Sequence, residues 1–186
     1  MKYVRTLICF LLTAMSSVTI ASESPEKLIE EHFEYLKSNA TWKACKLYRN
    51  QDLRHLKEGL MTALLDAPSA EKQDATVLIF GEEASFDGIK KMSDIQFCES
   101  ILQFAMQQTA SPEVLELLRL TIIGKVMEGE HTAHVVARYF VELTDVPSQN
   151  VEVATVVKEG NTWKMTMPEA IASMGELFQQ GMTQSK

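Results

Sequence analysis

The chain has 186 residues, 46% of them apolar and 23% charged, and its 25 acidic side chains outnumber 18 basic ones for a formal net charge of −7. With 8 Gly and 5 Pro it is neither collagenous nor of low complexity, and its apolar fraction argues for one folded domain of ordinary size. The acidic balance lacks the basic footprint that nucleic-acid binding needs and disfavours anionic membranes by the same sign.

Lys2 and Arg5 form a basic head, Leu7 to Ala14 an apolar stretch, and Ser16 to Ala21 a run of small residues ending in Thr19-Ile20-Ala21. This three-part layout predicts a secretory signal peptide over residues 1–21, removed after Ala21, with residues 22–186 forming a single domain. A retained anchor is the competing reading, but the uncharged run from Thr6 to Ala21 is 16 residues, short of the ~20 that span a bilayer comfortably. Cleavage leaves 16 basic against 25 acidic side chains, a net of −9. It also leaves two cysteines, Cys45 and Cys98. In an oxidising periplasmic or secreted compartment an even pair reads first as a disulfide, the alternative being two independent buried thiols.

Ser24-Pro25 starts a helix to about Ser38, because a capping residue precedes Pro at the first helical position and Leu28, Ile29, Phe33 and Leu36 recur at helical spacing. Thr41 is expected to cap a short second helix through Leu47, with Trp42 and Cys45 on one face. Gln51 to Ala67 gives a third, striped by Leu53, Leu56, Leu60, Ala63 and Leu64 and stopped at Pro68-Ser69. Glu71 to Phe80 is read as helix because Gly81 suits a C-cap, although Val77-Leu78-Ile79-Phe80 fits a strand as well. Ser93 and Gln96 form a capping box opening a helix with Ile95, Cys98, Ile101, Leu102 and Ala105 on its apolar side. Ser111-Pro112 repeats the start signal for a helix to about Leu117, so the helical part runs over about 25–117.

From Leu118 the period changes from 3.6 to 2 and β-branched residues take over. Strands are predicted over about Arg119 to Glu128, Thr132 to Thr144, Val151 to Glu159 and Thr162 to Met167. Their connectors are Glu128-Gly129-Glu130, Pro147-Ser148-Gln149-Asn150 and Gly160-Asn161, which implies an antiparallel meander over about 118–167. Pro168 then opens a short C-terminal helix over about 168–182, containing Ile171, Met174, Leu177 and Phe178. Helices first and strands afterwards indicate α+β, with the helices covering one face of the sheet. Ala133, Val135, Ala137, Tyr139, Val141 and Leu143 form the apolar set of the second strand and should face the helices; Thr132, His134, Val136, Arg138, Phe140 and Glu142 should face away.

The opening Ser24-Pro25-Glu26, the Trp-containing second helix and the long meander from Ile122-Ile123-Gly124-Lys125-Val126 through Thr132–Arg138 to Val151–Met165 together resemble the NTF2-like superfamily, in its exported bacterial members. The resemblance covers nearly all of residues 22–186. It implies a cone in which a curved antiparallel four-stranded sheet wraps its concave face around N-terminal helices and can leave a pocket there. Such domains include isomerases, dehydratases, polyketide-cyclase-like enzymes and many noncatalytic binding modules, so fold alone does not choose the function.

His131 and His134 have a His-x-x-His spacing, but on a strand residues three apart point to opposite faces, so no metal site is expected. The Met pair flanking Thr166, Met165 and Met167, reads as packing rather than copper ligation without a Cys or His cluster nearby. Nucleophile elbow, phosphate loop and dinucleotide fingerprint are all missing from the sequence, and no cofactor is expected. On the concave side His32, Trp42, Tyr139, Trp163 and Met165 are the candidate ligand contacts. His32, in register with Leu28 and Leu36, is the best acid/base candidate, with Tyr139 as orienting hydroxyl; the competing reading is a satisfied core histidine. His55 falls on the polar side of its helix. On the outer sheet face the mixture of Ile123, Val136, Arg138 and Phe140 is a candidate homodimer surface. The expectation is therefore a noncatalytic exported module for a small apolar ligand or a protein partner, with an acid/base enzyme on a small hydrophobic substrate as the alternative.

Overall fold

Ser24 caps the first helix by accepting from the Lys27 amide at 3.2 Å, with Pro25 at the first helical position. In the computed structural model, which describes residues 24–109, 111–141 and 148–175, this is α1, Pro25–Lys37. The expected leader, the Glu142-Leu143 end of the second strand, and Leu177 and Phe178 lie outside the described residues. The remaining helices before the sheet are α2 (Thr41–Cys45), α3 (Asn50–Asp66), α4 (Ser69–Phe80), α5 (Phe86–Lys91), α6 (Asp94–Thr109) and α7 (Pro112–Leu117). Among the described residues no helix is long and apolar enough to cross a membrane.

The capping box opens α6: the Ser93 amide donates to Gln96 Oε1 at 2.9 Å and the Gln96 amide to Ser93 Oγ at 3.2 Å. The ambiguous run Val77–Phe80 is helical, and Gly81 follows it at φ 95. Two expectations are corrected here. Thr41 is the first helical residue rather than the cap, and its buried hydroxyl has no hydrogen-bond partner among the described residues. The short α5 was not anticipated, because a six-residue helix that buries Ile89 leaves no periodic signature.

The sheet is a curved, unclosed antiparallel meander in the order β1 (Leu118–Glu128), β2 (Thr132–Val141), β3 (Ser148–Glu159) and β4 (Thr162–Met165), followed by α8 (Glu169–Ala172). Gly129 and Gly160 supply the positive φ of the two described hairpin turns, 68 and 62. Residues 148–150, expected as connector, already belong to β3, and β4 stops at Met165 rather than Met167. The second-strand faces are as expected: Ala133, Val135 and Ala137 are buried against the helices, whereas Arg138 is exposed. Opposite Ala137 and Val136 the β1 register slips between Ile122 and Gly124. Past this bulge Lys125 stands opposite Val135, on the helix side of the sheet, where its ammonium meets Glu26 of α1 at 2.7 Å.

The core joins helices to sheet through Leu28, Ile29, Leu56, Leu64, Phe97, Ile101, Val135 and Val156, all essentially inaccessible. Cys45 of α2 and Cys98 of α6, both fully buried, are joined by a disulfide with Cα atoms 6.0 Å apart. The other end of the sheet is ragged, because β3 has 12 residues and β4 only 4. Beyond Met165 the chain makes one more ladder bond, Thr166 amide to Thr155 carbonyl at 2.9 Å, and then turns toward α3, where the Met167 amide donates to Asp52 at 2.9 Å. Since Thr155 points its carbonyl to this side, alternation makes Val153 and Val151 do the same, and on this edge, away from β2, no described strand pairs with them.

Candidate functional site

The ragged end of the sheet contains a cavity of about 640 Å³, within the range of small-molecule sites. Its walls come from α1, the turn after α2, the end of β2, the unpaired stretch of β3 and the segment from Met165 to Ile171. Phe33, Leu36, Leu102, Met165 and Met167 give it an apolar body. The opening follows from strand length: where β4 ends, no described strand continues the sheet.

His32 reaches the cavity because it lies one turn from both Leu28 and Leu36 on the buried face of α1. Tyr48 is delivered by a short parallel bridge to Met165, in which the Met165 amide donates to Leu47 and the Arg49 amide to Met165. The two side chains meet with Tyr48 Oη 2.8 Å from His32 Nε2 and rings edge to face at 5.2 Å. Burial pushes the His32 imidazolium down to about 4, so the ring is neutral near pH 7, and a neutral ring protonated on Nδ1 accepts at Nε2 from the Tyr48 hydroxyl. Burial also raises Tyr48 well above the ordinary phenol range.

Tyr139, half-buried, packs its ring against Phe33 at 6.1 Å. Burial, and secondarily the charge of Glu152, pushes its phenol up to about 12. Glu152, which accepts from Asn150 at 2.7 Å, and Glu169 stand at the cavity on solvent-exposed positions.

Of the five expected ligand contacts, His32, Tyr139 and Met165 line this cavity and the two tryptophans do not. Trp42 is 42% exposed, with the Lys46 ammonium 4.3 Å from its ring centroid. The inward arc of α2 is Thr41, Ala44 and Cys45, and Trp42 lies about 100° away from the first of these. Trp163 packs at the edge of the core beneath Lys158. The hydroxyl partner of His32 is Tyr48 and not the expected Tyr139. A signal for Tyr48 was available, since it continues the arc of Thr41, Ala44 and Cys45 by one turn. Glu152 had no such signal, because its position depends on which strand edge is left open.

Elsewhere, His55 and His131 are exposed, and His134 bonds Thr155 Oγ1 and Glu128 Oε2, each at 3.0 Å. Among the described residues no three metal-ligating side chains cluster. On the outer sheet face Val136 and Phe140 are half-buried and Ile123 is 50% exposed. The more exposed apolar residues there are Val126 and Val153, 62% each, and Val151, 51%.

No family model matches the sequence, and no curated protein matches it. Among solved structures the chain is similar to an NTF-2-like protein of unknown function from Shewanella oneidensis MR-1, at 16% identity and a TM-score of 0.41, over 76% of this chain and 91% of that one. Helices, then a curved four-stranded antiparallel sheet, then a short C-terminal helix make up an α+β arrangement.

Proposed function

We propose that the chain is an exported binding module that takes a small, largely apolar ligand in the cavity at the ragged end of the sheet. The observation that carries this reading is the cavity itself, about 640 Å³ with largely apolar walls beside the helix–sheet core. Export is supported by the basic head and apolar stretch of residues 1–21 and by a fully buried disulfide, which belongs to an oxidising compartment. Mass spectrometry of the protein under native conditions, with a thermal-shift survey of apolar compounds, tests it. Bound species or stabilising compounds are expected, and Ala154→Leu, which adds bulk to the cavity wall, should abolish them while leaving the fold intact. Absence of any bound or stabilising compound counts against the reading.

An acid/base enzyme is the second reading, favoured by one observation: a neutral imidazole facing an apolar cavity is the protonation state a general base needs. Against it, Nε2 already has the Tyr48 hydroxyl as partner. Turnover that survives His32→Gln would remove this reading. Pairing of two copies through the outer sheet face belongs to the proposal as well, supported by Val126, Val151 and Ile123. Sedimentation velocity should give a dimer that Val126→Lys converts to monomer.

A further inference from the structure

The cavity has a polarity along its length. Its interior is apolar around the His32–Tyr48 pair, and both residues of the lining that carry full charge near pH 7, Glu152 and Glu169, are carboxylates on exposed positions. Among the described residues no Lys or Arg lines it. Lys37 approaches one wall, but its ammonium donates to the Leu118 carbonyl at 3.4 Å and does not enter the lining. Glu152 and Tyr139 line the same cavity, and burial, with the charge of Glu152 second, keeps the Tyr139 phenol protonated near neutral pH. A carboxylate and a neutral phenol ring each attract a cation, the first through charge and the second through the ring quadrupole. The chain's net charge of −7 raises the local concentration of cations in the same sense.

We propose that the ligand is a cationic amphiphile: an amine or quaternary ammonium head held between Glu152, Glu169 and the Tyr139 ring, with an apolar body reaching toward Leu36, Met165 and Met167. This rests on the reading of the cavity as a binding site and adds the chemical class. Fatty carboxylates are excluded by the same geometry, since their head would face two like charges with no basic partner to offset them.

Calorimetric titration of the purified protein with three ligands of equal chain length, octyltrimethylammonium, octanol and octanoate, tests the class. The ammonium should bind about tenfold tighter than octanol, as expected for exposed ion pairs worth up to ~1 kcal/mol each. Octanoate should bind more weakly than octanol, and added salt should narrow the gap. Glu152→Gln and Glu169→Gln together should erase the preference for the ammonium over octanol. Equal binding of all three, stronger binding of octanoate, or a preference that survives the double variant overturns the cationic assignment and leaves the cavity reading intact. If none of the three binds, the cavity reading falls with it.

Discussion

Around the Cys45–Cys98 bridge Ala44, Phe97 and Ile101 are closed off from water, and α2 and α6 pack directly on one another. Around His32 the same helix–sheet interface encloses about 640 Å³ and leaves Tyr139, Ala154 and Ile171 partly accessible. The composition of the two regions is similar; what differs is the support behind them. The first is held by a covalent link that ties the five-residue α2 to the 16-residue α6. The second is bounded by a strand of 4 residues beside one of 12, so the wall ends before the layer above it does. A binding hollow here needs no special residue, only a mismatch of element lengths.

The largest test of that contrast is the crosslink. Cys45→Ala with Cys98→Ala should cost about 4 kcal/mol in urea unfolding, because a loop of 53 residues is released in the unfolded chain. A loss below about 1 kcal/mol would mean that packing alone holds the filled region. Next, Ile101→Ala in that region should cost about 3 kcal/mol by creating a void that α6 cannot collapse.

In the hollow region the dominant effect should be acid sensitivity. The folded state holds His32 down to about 4 against an ordinary 6.5, so between these values the unfolded chain binds the extra proton. Stability from this group is therefore full above pH 6.5 and falls as pH drops toward 4, by on the order of 3 kcal/mol. His32→Gln should flatten that part of the pH profile of unfolding, and an unchanged profile would mean that the imidazole is not sequestered. Tyr48→Phe removes the hydroxyl from the 2.8 Å pair and should cost about 2 kcal/mol by leaving Nε2 unsatisfied. Smallest of all, Leu36→Ala should cost about 1 kcal/mol, since this side chain already borders empty space and its removal enlarges a hollow instead of opening a new one. Equal losses for Leu36→Ala and Ile101→Ala would erase the distinction between the two regions.

The helix starts at Ser24, Ser93 and Ser111 were legible because capping is local chemistry spelled out within four residues. The inward face of β2 was legible for the same reason, since alternation is a property of one strand. What the sequence withheld is relational. The bulge at Ile122–Gly124 depends on the partner strand, and it decides that Lys125 lies on the side of the sheet where Glu26 can pair with it. In the candidate site His32 and Met165 followed from periodicity. Tyr48 continues the inward arc of α2, but its pairing with His32, 16 residues away, and the place of Glu152 on a strand edge whose openness is set by β4, required knowing what lies alongside. Trp42 misled because its spacing of three from Cys45 puts the two on one face, whereas this five-residue helix turns only the arc of Thr41, Ala44 and Cys45 inward.

The open margin of β3 has a further consequence for the behaviour of many molecules together. Unpaired ladder groups flanked by valines are a template on which a second chain can grow a sheet, the first step toward fibrils. Between Val151 and Val153 stands Glu152, tied to Asn150. A copy docking by this margin would have to desolvate that anion, and with Glu152 in register against Glu152 it would meet its own charge. One carboxylate thus works as a gatekeeper against self-templating, and concentrated solutions of Glu152→Val should be the first to gel.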